Sequence, residues 1–209
     1  MSQGEPSPAS DETLLAAFND GDASAFEVLL ERYRRPVFNF LLRSTRDRDR
    51  AQDLTQETFL RVVQSAGSFQ HQSRFSTWLY TIARNLCVDA GRKHALRRHP
   101  SLDAPVAGPA FAGGGAAPLL GERVAAPDLG AERRAESKRV GARISAAVEA
   151  LPPEQREVFL LRHLQHMPFK DIAAVVGVPE NTVKSRMRYA LERLQAALAE
   201  HEDYARELT

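Results

Sequence analysis

The chain has almost no cysteine, almost no net charge and no long apolar run, and each shortage removes a class of protein. Its 209 residues include one cysteine, Cys87. No internal disulfide framework can form, and a reducing compartment, the cytoplasm, is expected. Cys87 falls in a helical pattern, where a small buried residue is the expected role rather than a redox switch. No run of 18 apolar residues occurs, which excludes a membrane-spanning helix. The opening segment MSQGEPSPAS has neither the basic nor the apolar part of a signal peptide, and residues 1–10 are expected to form a disordered tail. Sustained alternation and Asn-Gly hairpin signals are missing too, so an all-α fold is expected. The six histidines have no Cys or acid cluster beside them: His163 and His166 stand three residues apart, and His94 and His99 flank a change in composition. No metal site is completed, and no cofactor is expected. Asp47 and Asp49, set among arginines in a turn, read as surface charge.

What is present is unevenly placed. The net charge is +1, yet residues 1–20 carry four acids and no Lys or Arg. Positive charge gathers at 84–98 and 184–193, so a polyanion would be met locally. The stretch Ser68–Arg98 combines aromatics, small hydroxyl residues and six Arg or Lys against one acid. Its Phe75, Trp78, Leu79, Ile82 and Leu86 make one helical stripe. Two readings stand side by side: a core helix with a solvated basic end, or a surface that holds a phosphate backbone and stacks unpaired bases.

The rest of the chain reads as helices in series. Asp11–Asn19 is a short helix with Asp11 as its cap and Leu14, Leu15 and Phe18 on one face. Asp22 caps a second helix carrying Phe26, Leu29, Leu30, Tyr33, Val37, Phe40 and Leu41, which Pro36 is expected to kink or interrupt. A third runs from about Arg50 to Ala66, with Phe59, Val62, Val63 and Ala66 inward and Gly67 as its C′ residue. Its other side shows Asp53, Gln56 and Glu57: a solvated acidic face, or a docking face for a basic or polar partner helix.

Composition changes at His99. The 32 residues 99–130 hold five Pro, six Gly and eight Ala, too little apolar surface to offset the entropy of ordering. This is a linker, spanning about 35 Å on average, and it divides the chain into two helical domains. Phe111, Leu119 and Leu120 are its few large apolar residues, a partner contact or nothing. Helix resumes at about Ala131, with Ile144, Ala147, Val148 and Leu151 on one face. Pro152-Pro153 separates it from a helix bearing Val158, Phe159, Leu161 and Leu164. After a break at Gln165–Pro168 comes a short helix with Phe169, Ile172, Ala173 and Val176. A turn at Gly177–Glu180 follows, then a long helix capped by Asn181, with Val183, Met187, Ala190, Leu191, Leu194, Ala197 and Leu198 inward.

Short helix, glycine turn and capped longer helix form the helix-turn-helix pattern, whose second helix lies in the major groove. Here that helix offers Thr182, Lys184, Ser185, Arg186, Arg188 and Tyr189, with no acid from Asn181 to Tyr189. Arg can bridge O6 and N7 of guanine, and Lys can meet phosphate. The bland reading is a helical hairpin in a bundle with a basic exterior.

DLTQETFLRV (53–62), FSTWLYTIARNLCVDAGRK (75–93), LPPEQREVFLLR (151–162) and FKDIAAVVGVPENTVKSRMRYALERL (169–194) resemble the conserved regions of bacterial sigma factors. The likeness is to the extracytoplasmic-function group, often tied to stress responses, which keeps only regions 2 and 4 joined by a linker. The resemblance implies region 2 at 11–98, the linker at 99–130, region 4 at 131–200 and a tail at 201–209. It implies that Asp53, Leu54, Gln56, Glu57 and Phe59 meet the β′ coiled coil of core RNA polymerase, with the β subunit as a further contact. It implies that Ser68, Phe69, Arg74, Phe75, Ser76, Thr77, Arg84, Asn85, Arg92 and Lys93 capture and open the −10 element, Ser68–Phe75 being the loop that takes a flipped base. Thr182, Lys184, Ser185, Arg186, Arg188 and Tyr189 would read the −35 element as duplex. The loop sequence QHQSR (70–74) departs from the commoner acidic-glycine form. The implied function is promoter-specific transcription initiation, with promoter DNA and an anti-sigma factor as further partners and no membrane insertion. The alternative is a two-domain helix-turn-helix regulator that binds duplex DNA only.

Overall fold

The computed structural model describes residues 9–69, 73–98 and 131–207. The expected linker, the loop residues Gln70–Gln72 and residues 1–8 and 208–209 lie outside the described residues. Among the described residues there are eight α-helices and one 3-10 turn, and no strand. The helices are α1 (Asp11–Asn19), α2 (Ala23–Thr45), α3 (Arg48–Ser65), α4 (Phe75–Arg98), α5 (Ala131–Ala150), α6 (Pro153–Leu164), α7 (Phe169–Val176) and α8 (Glu180–Glu207). The all-α expectation is met. None of these helices is long and apolar enough to cross a membrane.

Side-chain caps start the first three helices. Ser10, rather than Asp11, caps α1: its hydroxyl accepts the amide of Thr13 at 3.2 Å. Asp11 and Glu12 then sit in the first turn, where negative charge favours the helix dipole. Ala9 is already tied to the fold, its carbonyl accepting from Arg32. Asp22 caps α2 through the amide of Ser24, and Asp47 caps α3 through that of Arg50, both at 3.0 Å. The carboxyl of Asp22 is held below its usual pKa, chiefly by the Ser24 hydroxyl.

Pro36 does not interrupt α2, which continues to Thr45. A proline inside a helix costs about 3 kcal/mol. Val37, Phe40 and Leu41 follow it directly and are fully buried, and burial of one such side chain contributes roughly 1.5–3 kcal/mol. Gly67 is not a left-handed cap either: α3 runs on into a 3-10 turn, Ala66–Ser68. Gly177 does end α7 in the left-handed region, at φ 74°, where a Cβ would be strained. Asn181 does not cap α8, which begins one residue earlier at Glu180. At its other end α8 runs to Glu207, past residue 200, where the apolar pattern fades.

The first four helices pack together through Leu15, Leu29, Phe40, Val62 and Leu79, and the last four through Val148, Val158, Ile172 and Val183. The halves also pack on each other, α4 against α7 and α2 against α6, and one hydrophobic cluster is continuous through both.

Candidate nucleic-acid interface

Along α3 the spacing puts Asp53, Gln56, Glu57, Leu60 and Val63 on one side of the helix. Asp53 and Gln56 are exposed, and Glu57 accepts from Arg61 at 2.9 Å. Leu54 and Phe59, expected in the same docking set, are instead 9% and 7% exposed and belong to the core. They hold the helix in place from beneath. Leu60 and Val63 are 56% and 41% exposed. The inward assignment of Val63 is therefore corrected, and the face is apolar as well as acidic. Leu60 went unnoticed in the sequence, although it lies three and four residues beyond the flagged Glu57 and Gln56.

Both ends of the loop before α4 are tied to α1. The side-chain amide of Asn19 donates to the Ala66 carbonyl at 3.1 Å, and the carboxylate of Glu12 accepts the amide of Phe75 at 2.9 Å. Glu12 therefore supplies the first turn of α4 with an acceptor and a favourable charge. Phe69, Phe75 and Trp78 form an aromatic cluster at the start of α4, with Phe69 and Trp78 centroids 5.0 Å apart and Tyr33 edge-on to Phe75 at 5.4 Å. The Tyr33 hydroxyl donates to Asp11, and burial first, then Asp11, pushes its pKa up.

The residues expected at the −10 element separate into two sets. Ser68, Arg74, Asn85, Arg92 and Lys93 are exposed, and Phe69, Ser76 and Arg84 are half-buried. Phe75 and Thr77 are 0% and 4% exposed, so in this arrangement they support the surface rather than form it. Arg84 donates to Glu157 of α6 at 2.7 Å, and Arg74 stands 3.8 Å from Asp171 of α7. Cys87 is buried, as expected; burial, with Glu157 nearby, pushes its thiol up to about 12.

The helix-turn-helix is formed by α7 and α8. Lys184, Ser185, Arg188 and Tyr189 are exposed, while Thr182 and Arg186 are half-buried. Leu191, expected inward, is 46% exposed beside them. Every cation of this face is held by an acid: Lys184 by Glu180 at 2.7 Å, Arg186 by Glu154 at 2.8 Å and Arg188 by Glu192 at 3.7 Å. Arg188 also lies over the Tyr189 ring. The Lys184 and Arg188 pairs are exposed and weak, about 0–1 kcal/mol each, so phosphate can displace their acids.

Residues 29–97 match the family Sigma-70 region 2, and residues 141–194 match Sigma-70, region 4. The ECF RNA polymerase sigma factor SigE of Mycolicibacterium smegmatis is 31% identical over 198 residues, covering 93% of this chain and 71% of that protein. The chain belongs to the extracytoplasmic-function sigma factors. A second relative, the RNA polymerase sigma-H factor of Pseudomonas aeruginosa, is 29% identical over 191 residues, 90% of this chain and 93% of its own. Among solved structures, the fold is similar to that of the sigma factor RpoE in complex with the anti-sigma factor NepR from Bartonella quintana. The TM-score is 0.60 at 24% identity, over 83% of this chain and 96% of that one. As a sigma factor, the protein directs RNA polymerase to promoters and so starts transcription.

Proposed function

We propose that this sigma factor divides its work between its halves. Residues 11–98 dock on core polymerase and open the −10 element. Residues 131–200 read the −35 element, and 99–130 tether the two. Residues 201–209 end the chain, their helical part extending α8. The split is supported by the two matched segments and by the helix-turn-helix in the second.

The α3 side bearing Asp53, Gln56, Glu57, Leu60 and Val63 is the polymerase contact. The observation that carries this is the pair of exposed apolar residues, Leu60 and Val63, set among the acids. Apolar centres rimmed by charge are what protein interfaces offer. The coiled coil of β′ is the partner that the family relationship favours, with β as a second contact.

The −10 strand is held by Ser68, Phe69, Arg74, Ser76, Arg84, Asn85, Arg92 and Lys93, over a floor of Phe75 and Thr77. Unstacking a base costs a few kcal/mol, and stacking on an aromatic returns roughly 1–3 kcal/mol. The cluster of Phe69 and Trp78 at the start of α4 is suited to that exchange. Thr182, Lys184, Ser185, Arg186, Arg188 and Tyr189 meet the −35 duplex. The chain contributes no catalytic group, because RNA synthesis belongs to the polymerase, and it works in the cytoplasm. An anti-sigma factor is a further partner, consistent with the company of the similar solved sigma factor.

Mixing the full chain with core polymerase and a promoter library tests the whole reading. Promoter-selective transcripts are expected only with both proteins present. Binding to duplex −35 DNA without any response from the polymerase would overturn it.

A further inference from the structure

We propose that the acidic edge of α6 and α7 is a binding surface for the −10 face of this same chain, a partner that competes with promoter DNA for the same cations. The proposal rests on the assignment of Arg74 and Arg84 to the −10 surface. Three acids make up the edge. Glu157 of α6 takes Arg84 at 2.7 Å, and Asp171 of α7 faces Arg74 at 3.8 Å. One turn before Glu157, Glu154 takes Arg186 of the −35 helix at 2.8 Å. One acidic edge thus occupies cations assigned to both DNA elements.

Thr77, Thr81, Arg84 and Val88 follow one another at helical spacing along α4, with Arg74 just before it, so the side facing the second half overlaps the side expected to meet DNA. The Arg84 pair is the strong one. It is a charge-assisted bond between side chains 25% and 16% exposed, poorly reached by salt. Arg74 is 67% exposed and adds little.

The closed seam also carries unmet demands. Arg156, in the cleft between α4 and α6, is buried with Nε and Nη1 unbonded, only Nη2 reaching the Leu151 carbonyl at 2.9 Å. Burial holds the guanidinium of Arg156 down to about 10. Burial likewise raises the Glu157 carboxyl above its usual range, with Arg84 opposing it. Buried groups left in this state favour opening once another ligand is on offer. DNA phosphates supply anions for Arg84 and Arg74, and separation returns Arg156 to water. The ligand needs only to prefer the open form to shift the population.

Cys87 lines the cleft between α4 and α6 beside Arg84 and Glu157, and it is the only cysteine. Its modification by a maleimide in the full chain therefore reports opening of the seam. Glu157→Gln should raise that rate by about tenfold, the shift that 1.4 kcal/mol brings, with the circular-dichroism melt still cooperative. Core-free binding of a fluorescent, randomised single-stranded 12-mer should tighten in parallel. Should Glu157→Gln lose the cooperative melt, Asp171→Asn on the α7 side gives the same readouts with smaller changes. Glu157→Arg should open the seam as well, and Arg84→Glu in that chain should restore the parent's slow thiol rate. A parental Cys87 rate in Glu157→Gln, or opening without tighter DNA binding, would overturn the proposal. Arg84→Ala in the Glu157→Gln chain examines the −10 assignment separately: equal oligonucleotide affinity with and without Arg84 would remove it, whatever the thiol rate.

Discussion

Glu12 accepts the backbone amide of Phe75 at 2.9 Å, 63 residues along the chain. The first helix of the protein therefore caps the helix assigned to the −10 element. Glu12→Ala should lower stability by about 1 kcal/mol, the ordinary worth of an N-terminal cap. Glu12→Gln keeps the acceptor and loses only the charge, so its loss should be smaller. Urea titrations of the three chains give the comparison; equal stability in all three would show that the cap does not matter.

The two faces of α3 should respond differently to substitution. Asp53→Arg with Glu57→Arg, or Leu60→Asp alone, should abolish co-purification with core polymerase and leave the thermal melt unchanged. Leu54→Ala and Phe59→Ala should instead cost about 2–5 kcal/mol of stability, because each empties part of the core. Unchanged co-purification of the double variant would remove the docking assignment.

On the −35 side, Arg186→Ala should weaken promoter use by roughly 1–3 kcal/mol if Arg186 reads a base. Transcription from a set of single-base −35 variants distinguishes the roles. Loss confined to one position marks a base contact, and uniform loss marks a phosphate contact.

The His163 imidazole lies against the Phe159 ring, centroids 4.4 Å apart. Partial desolvation against that ring, then Arg162 and His166, lowers the pKa of this otherwise exposed side chain below the ordinary 6.5. The unfolded chain therefore binds more protons than the folded one just below pH 6.5. The stability contributed by neutral His163 is complete above that pH and is lost as pH falls through the lowered value. Glu157, whose pKa is raised, acts in the opposite sense, its contribution being lost as pH rises above about 4.5. The difference between the parent and His163→Gln isolates the histidine. That difference should shift against the parent between pH 7 and pH 5, and a pH-independent difference would refute it.

Much of this was legible in the order of the residues. Apolar spacing located every helix, since periodicity records burial directly. Caps were less secure: Ser10 does the work expected of Asp11, because adjacent polar residues compete for the same amides. Leu191 and Val63 lie at the edges of their apolar stripes, where spacing alone does not decide exposure. Leu54 and Phe59 carry a motif and a core at once, and a motif does not say which of its residues face outward. The seam was not legible at all. Arg84 and Glu157 are 73 residues apart, and no local pattern announces that one will find the other.

Trp78, the only tryptophan, is half-buried against Phe69, a residue of the stretch assigned to base capture. The protein thus contains its own optical probe. Its ultraviolet emission comes from a single indole within reach of the captured strand, and a nucleobase stacking nearby would quench it. Within the assembled polymerase, promoter melting can be followed from this site once the indole is replaced by an analogue excited at a longer wavelength than tryptophan.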